Sequence, residues 1–269
     1  MGPDMCGIYL AVSRTGHVPP TAKISALLAS RGPDSVRYLT YRQPLVGQPA
    51  GSQPGVGTVS IDTDNVSEVF ITCVSSVLSL RGYQTVDQPL TGPIQEHESL
   101  ASPVPSFLCW NGEAWTFAGT SIQGNDSEHV LRLLSHICHF STSFSPEMQE
   151  RAVAEALSAY AGPYAFAYYD SVNQKLYYGR DFLGRRSLLY RVTEAGELII
   201  SSVGDGIGVG WQEVEADGIY HVDLSSIQGD GGFNVKRTPY HYDSGTASPA
   251  PRRSKLVRSI KLSDPGVPY

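Results

Sequence analysis

From Tyr164 to Leu224 the chain reads as a succession of short strands with no helical stretch between them. The segments are Tyr164–Tyr169, Lys175–Gly179, Ser187–Val192, Glu197–Ser202 and Ile219–Leu224, rich in tyrosine, isoleucine and valine. Two adjacent helical stretches precede this run and a third lies near the start. That order points to an α+β layered fold of antiparallel sheets, because regular βαβ alternation needs a crossover helix between strands.

The earlier segments fit the same plan. Ile8–Val12 and Val69–Leu80 are apolar strand candidates. Pro19-Pro20-Thr21 opens a helical stretch to about Ser30, with Ile24, Leu27 and Leu28 at helical spacing. Ser127 to His139 carries Val130, Leu134 and Ile137 on one face, with Asn125 or Asp126 as its cap. Ser145-Pro146-Glu147 starts a second helix that runs to Tyr160. Phe107–Trp110 and Trp115–Ala118 read as two strands around an Asn111-Gly112 turn. Residues 43–58 and 85–105 read as loops. Glycine, serine, proline and basic residues dominate from Gly229, which predicts a solvated linker over 229–269 after a domain spanning 6–228, with 1–5 as a leader.

Composition narrows the function. The chain has 269 residues, 41% hydrophobic and 17% charged, with a formal net charge of −6. That balance argues against a nucleic-acid partner, which wants a basic surface. No apolar run reaches the length of a membrane span, and the start lacks the basic-then-apolar order of a secretory signal. Cys6, Cys73, Cys109 and Cys138 form no CxxC pair, so a zinc knuckle is unsupported. A reducing compartment, the cytoplasm, is expected, with Cys73, Cys109 and Cys138 as small core residues. His136 and His139 share a helix with His129, but no nearby carboxylate completes a metal set, and none is expected. Gly204, Gly206, Gly208 and Gly210 do not have dinucleotide-binding spacing.

The chemistry gathers at a few positions. Cys6 follows Met5 directly. If it became the first residue, it would carry a thiol and a free α-amine together, and the amine, with a pKa near 8, could take the thiol proton. Otherwise it is a buried cysteine in an N-terminal strand. Asn111-Gly112 is a plain hairpin turn, or else it aims a side-chain amide and a backbone N–H at one point, as an oxyanion hole does. Glu113 adds a carboxylate beside them. Arg81, before Gly82, is a surface arginine at a strand end or a two-pronged clamp for a carboxylate. Asp126 is a helix cap or the holder of a ligand ammonium.

Together these positions resemble the class II glutamine amidotransferases. Met5-Cys6-Gly7-Ile8 is similar to their opening motif, Arg31-Gly32-Pro33-Asp34 to their RGPD loop, and Asn111-Gly112-Glu113 to their NGE motif. Asn125-Asp126-Ser127-Glu128 resembles the SDTE motif, and Gly179 to Tyr190 resembles the ARDPLGxKPLYY stretch of asparagine synthetases. The matches keep the family's order from residue 5 to about 225. Where that family has an RLSI-like continuation after its arginine, this chain has Arg81-Gly82-Tyr83-Gln84.

The resemblance implies an N-terminal nucleophile hydrolase fold, a four-layer αββα sandwich of antiparallel sheets. It implies that Cys6 attacks the side-chain amide of L-glutamine, that Asn111 and Gly112 hold the oxyanion, and that Arg81 holds the substrate carboxylate. Asp126, with Glu113, would hold its α-amine. The expected product is ammonia for asparagine-type biosynthesis by a synthetase-like domain in cis. No cofactor is expected in this chain, and ATP and magnesium would belong to that other domain. The alternative is a catalytically silent binding or interaction module, with Cys6 blocked by residues 1–5.

Overall fold

A computed structural model describes residues 5–45, 68–79, 85–92, 104–140, 145–206, 210–226 and 232–240. Three helices are described: α1 Ala22–Arg31, α2 Asp126–Phe140 and α3 Pro146–Ser158. The first sheet uses β1 Gly7–Ser13, β2 Ser35–Pro44, β3 Glu68–Val77, β11 Leu189–Val192, β12 Leu198–Ser201 and β13 Gln212–Glu213, in the order β13-β11-β12-β1-β3-β2. The second uses β4 Leu90–Thr91, β5 Phe107–Gly112, β9 Tyr164–Asp170, β10 Lys175–Arg180, β14 Gly218–Asp223 and β15 Val235–Pro239, in the order β15-β14-β10-β9-β5-β4. A small third sheet joins β6 Thr116–Phe117, β7 Thr120–Ser121 and β8 Tyr160–Ala161. Every pairing within these sheets is antiparallel.

Strand alternation sets the layers. In β1 the residues Ile8, Leu10 and Val12 join Cys73, Phe107, Cys109 and Tyr169 in the apolar cluster between the two large sheets. Tyr9 and Ala11 turn the other way and pack with Ile24 and Leu28 of α1. In β5, Phe107 and Cys109 face the first sheet, whereas Leu108 and Trp110 face Val130, Leu134, Val153 and Leu157 of α2 and α3. The period of two in each strand therefore builds α1, sheet, sheet, α2 with α3: the expected αββα order. The centre of the second sheet is covered on both faces, which is why β9 is buried along its whole length.

Two expectations need correction, and one strand had no expectation attached to it. Asn111-Gly112 is not a hairpin turn but the end of β5, in register with Ala165 and Tyr164 of β9. Sheet pairing outcompetes the local turn there, since β9 offers a full row of apolar partners. Ser35–Pro44 is a ten-residue strand, though its polar, mostly exposed face gave no apolar run to mark it. The linker expected from 229 gives way at Val235–Pro239, which forms the edge strand of the second sheet against β14. An edge strand needs only one paired side and a few apolar anchors, here Val235 and, just before it, Phe233.

Candidate active site

Cys6 lies directly before β1 and is 8% exposed. Its Sγ meets the backbone of Leu78 just past β3, accepting from the N–H at 3.4 Å and approaching the carbonyl at 3.6 Å. Burial pushes the thiol up from its ordinary value, and the Asp126 charge adds to this. The Leu78 N–H and the Arg186 and Arg31 guanidiniums pull the other way. The thiol is thus kept protonated until a base takes its proton.

The Arg31-Gly32-Pro33-Asp34 loop fixes this corner. Arg31 Nε donates to the Cys6 carbonyl at 3.2 Å. Gly32 follows the end of α1, and a Cβ there would overlap the Val77 nitrogen, so glycine lets the loop lie flush on β3. Asp34 then donates its N–H to the Val77 carbonyl at 3.0 Å and accepts from the Ser79 N–H at 2.7 Å. One loop holds both the residue that bears the thiol and the backbone that the thiol touches.

Met5 occupies the position in front of Cys6. Its N–H donates to the Arg31 carbonyl at 3.0 Å. Its thioether is approached by Arg186 Nη1 at 3.0 Å and Arg31 Nη2 at 3.7 Å. A thioether is a weak acceptor for two cations. Burial, with Arg186 beside it, pushes the Arg31 guanidinium down to about 10. Residues 1–4 lie outside the described residues.

Alternation places Asn111 with Phe107 and Cys109 on the inter-sheet face of β5. Asn111 is 1% exposed, and among the described residues neither Oδ1 nor Nδ2 has a hydrogen-bond partner. An orphaned buried amide costs about 1–3 kcal/mol and calls for a reason. Gly112 is required by packing, because a Cβ there would overlap the Pro163 carbonyl oxygen. Gly162, at φ +148°, has no room for a Cβ either, since one would overlap the Glu113 carbonyl oxygen, and the Glu113 N–H donates to the Pro163 carbonyl at 2.9 Å.

Asp126 opens α2, but the cap is Asn125, whose Oδ1 accepts from the Glu128 N–H at 3.2 Å and from Ser127 Oγ at 2.6 Å. Freed from that task, Asp126 turns to β5. Its Oδ2 accepts from Trp110 Nε1 at 2.9 Å and from the Ala114 N–H at 2.8 Å. Trp110 is held in turn by stacking on Tyr164 at 4.8 Å and by its own N–H, which donates to Gln88 Oε1 at 2.6 Å. Cys6, Leu78, Gly112, Glu113 and Asp126 all line one cleft. Arg81 lies outside the described residues.

The turn after β10 is organised by Asp181, 1% exposed. Its carboxylate accepts from the backbone of Tyr164, Leu183 and Arg185 at 3.1 Å each and pairs with Arg185 Nε at 2.9 Å. This turn delivers Arg186 to Met5. Sequence reasoning assigned no role to Arg31, Leu78, Gln88 or Arg186. Arg31 and Arg186 stood inside recognised motifs, a usable signal. Leu78 acts through its backbone and Gln88 through one bond to a strand, and neither carries a side-chain signature.

The Cys6 thiol, Gly112 and the Glu113 and Asp126 carboxylates thus share one cleft, and the unpaired Asn111 amide belongs to the residue directly before Gly112. A family model described as "Glutamine amidotransferase domain" matches residues 116–207. Over that stretch the chain is similar to the glutamine amidotransferase domain family. It is also similar to asparagine synthetase domain-containing protein 1, at 30% identity over 250 residues to the Bos taurus protein and 32% over 249 residues to that of Mus musculus. These alignments cover 90% and 89% of this chain but 32% of each relative, so the chain spans about a third of their length. Among solved structures, the glutamine phosphoribosylpyrophosphate amidotransferase of B. subtilis shares 19% identity at a TM-score of 0.49, covering 86% of this chain and 49% of that one. The matched family stretch contains Asp126 and the Asp181 turn but begins after Gly112.

Proposed function

We propose that this domain hydrolyses L-glutamine to glutamate and ammonia when its chain begins at Cys6. The observation that carries this reading is the buried, unpaired Asn111 amide at the end of β5, directly before Gly112 and Glu113, which line one cleft with Cys6. In this mechanism the Cys6 α-amine takes the thiol proton and Sγ attacks the side-chain carbonyl carbon. The developing oxyanion accepts from Asn111 Nδ2 and the Gly112 N–H. The tetrahedral intermediate collapses, ammonia leaves with the proton, and water cleaves the resulting thioester. Asp126, with Glu113, holds the substrate ammonium, and Arg81 is assigned its carboxylate by resemblance. A zwitterionic substrate needs one subsite of each charge.

No cofactor enters these steps. Ammonia passes to a synthetase-like domain in cis for asparagine-type biosynthesis in the cytoplasm, with ATP and magnesium held there. Ammonia release by protein starting at Cys6 tests the hydrolysis. Cys6→Ala is expected to lower release on the order of 1,000-fold or more. Equal release by variant and parent overturns the reading.

One observation favours a silent binding module. With Met5 in place the Cys6 nitrogen is an amide, and Met5 is held by its N–H and by two guanidiniums. Intact mass of protein from its native cell separates the two: a chain retaining Met5 has no free α-amine on Cys6 to act as base.

A further inference from the structure

We propose that Cys73 and Cys109 are a redox pair whose disulfide cross-links the two large sheets through the core. Their sulfurs lie 3.0 Å apart, both residues fully buried, one on β3 of the first sheet and one on β5 of the second. A disulfide needs about 2.05 Å, so closure asks for a movement of about 1 Å. The side chains already face each other across the inter-sheet cluster, and small Ala167 is the register neighbour of Cys109. Burial, and then Cys109 itself, push the Cys73 thiol well up, as expected of two thiols in contact in an apolar layer.

The pair lies behind the candidate site. β3 runs on from Cys73 to Val77, just before Leu78, whose backbone meets the Cys6 thiol, and β5 runs on from Cys109 to Asn111 and Gly112. The bond would therefore fix the spacing of the two sheets at their site end, and it spans 36 residues of sequence.

The oxidant is a low-molecular-weight disulfide. One protein thiolate, its proton lost to solvent, attacks a sulfur of the small disulfide and expels one small thiol. The second protein thiolate attacks the mixed disulfide and expels the other. Two protein thiols lose two electrons and two protons, and one small disulfide becomes two thiols. Because both thiols are sealed in the core, the first attack waits for the sheets to part, so the rate follows local opening.

The test uses the reduced full chain incubated with glutathione disulfide in graded urea below the unfolding midpoint, then alkylated and mapped by peptide mass. The expected result is a Cys73–Cys109 linked peptide, formed faster as urea rises. It is reversed by dithiothreitol and accompanied by a melting temperature higher by roughly 5–10 °C. Cys73→Ala and Cys109→Ala should each abolish the linked peptide, but the wild-type map alone decides. Alkylated Cys73 and Cys109 throughout, or links that appear only after full unfolding and in random pairings, overturn the proposal. None of these readouts depends on glutamine turnover.

Discussion

Asp126 shows how one side chain can be placed by residues that do no chemistry. Trp110 and Ala114 occupy its Oδ2, and Asn125 relieves it of capping α2. Asp126→Asn keeps an oxygen for Trp110 and Ala114 but removes the charge offered to an ammonium group. The expected outcome in steady-state kinetics of protein starting at Cys6 is a KM for glutamine higher by about 10–100-fold, the worth of a hydrogen bond to a charged group. An unchanged KM would remove Asp126 from the substrate subsite. At this scale the sequence was informative where chemistry and residue type coincide. Cys6, Asn111, Gly112, Glu113 and Asp126 were all nameable, and Cys6, Gly112, Glu113 and Asp126 line one cleft. What stayed hidden acts through the main chain or through shape: the Leu78 peptide group on the thiol and the Pro163 oxygen that forbids a side chain at Gly112.

Among the elements, α3 gives a clean case of local coding. Ser145 accepts from the Met148 N–H at 3.4 Å and Pro146 takes the first turn, as the sequence indicated. Ser145→Ala should cost about 1 kcal/mol, seen as a lower urea midpoint at unchanged slope, with glutamine hydrolysis unaffected. The strands divide differently. Those buried on both faces, such as β9 and β10, announce themselves by continuous apolar and aromatic residues. β2, exposed on alternate residues at a sheet edge with Val36 and Tyr38 half in solvent, does not. Asn111-Gly112 shows the reverse failure: a strong local turn signal overridden by pairing with a strand more than fifty residues away.

For the whole molecule, the layers are joined by a small charged cluster between α3 and the second sheet. Lys175 Nζ meets Glu150 Oε1 at 2.7 Å, and His221 Nδ1 lies 3.4 Å from the same oxygen. Asp223, Lys236, the Tyr177 ring and Thr238 Oγ1 also face His221. Burial holds the imidazole below its ordinary value, with Lys175 and Lys236 adding to this against the pull of Glu150 and Asp223. The unfolded chain therefore binds this proton more readily than the folded one. Stability from His221 is full above about pH 6.5 and falls as pH drops from there towards the folded value. Comparing thermal midpoints across pH 5–8, His221→Gln should lose less stability than the parent on acidification, and parallel curves would sink this account. An α+β fold of antiparallel sheets was readable from strand and helix periods, and the αββα order from the family resemblance, whereas the extra edge strand β15 was not readable, its residues being polar and set in a glycine-rich context. That β1 is a central strand has a consequence in time. Its partner on one side, β12, pairs Tyr9 with Ser201, which a ribosome working at 5–20 residues per second reaches roughly 10–40 s after Met5 emerges. Until then β1 has an open edge where β12 will lie, so the strand that follows Cys6 is completed as a central strand only late in synthesis.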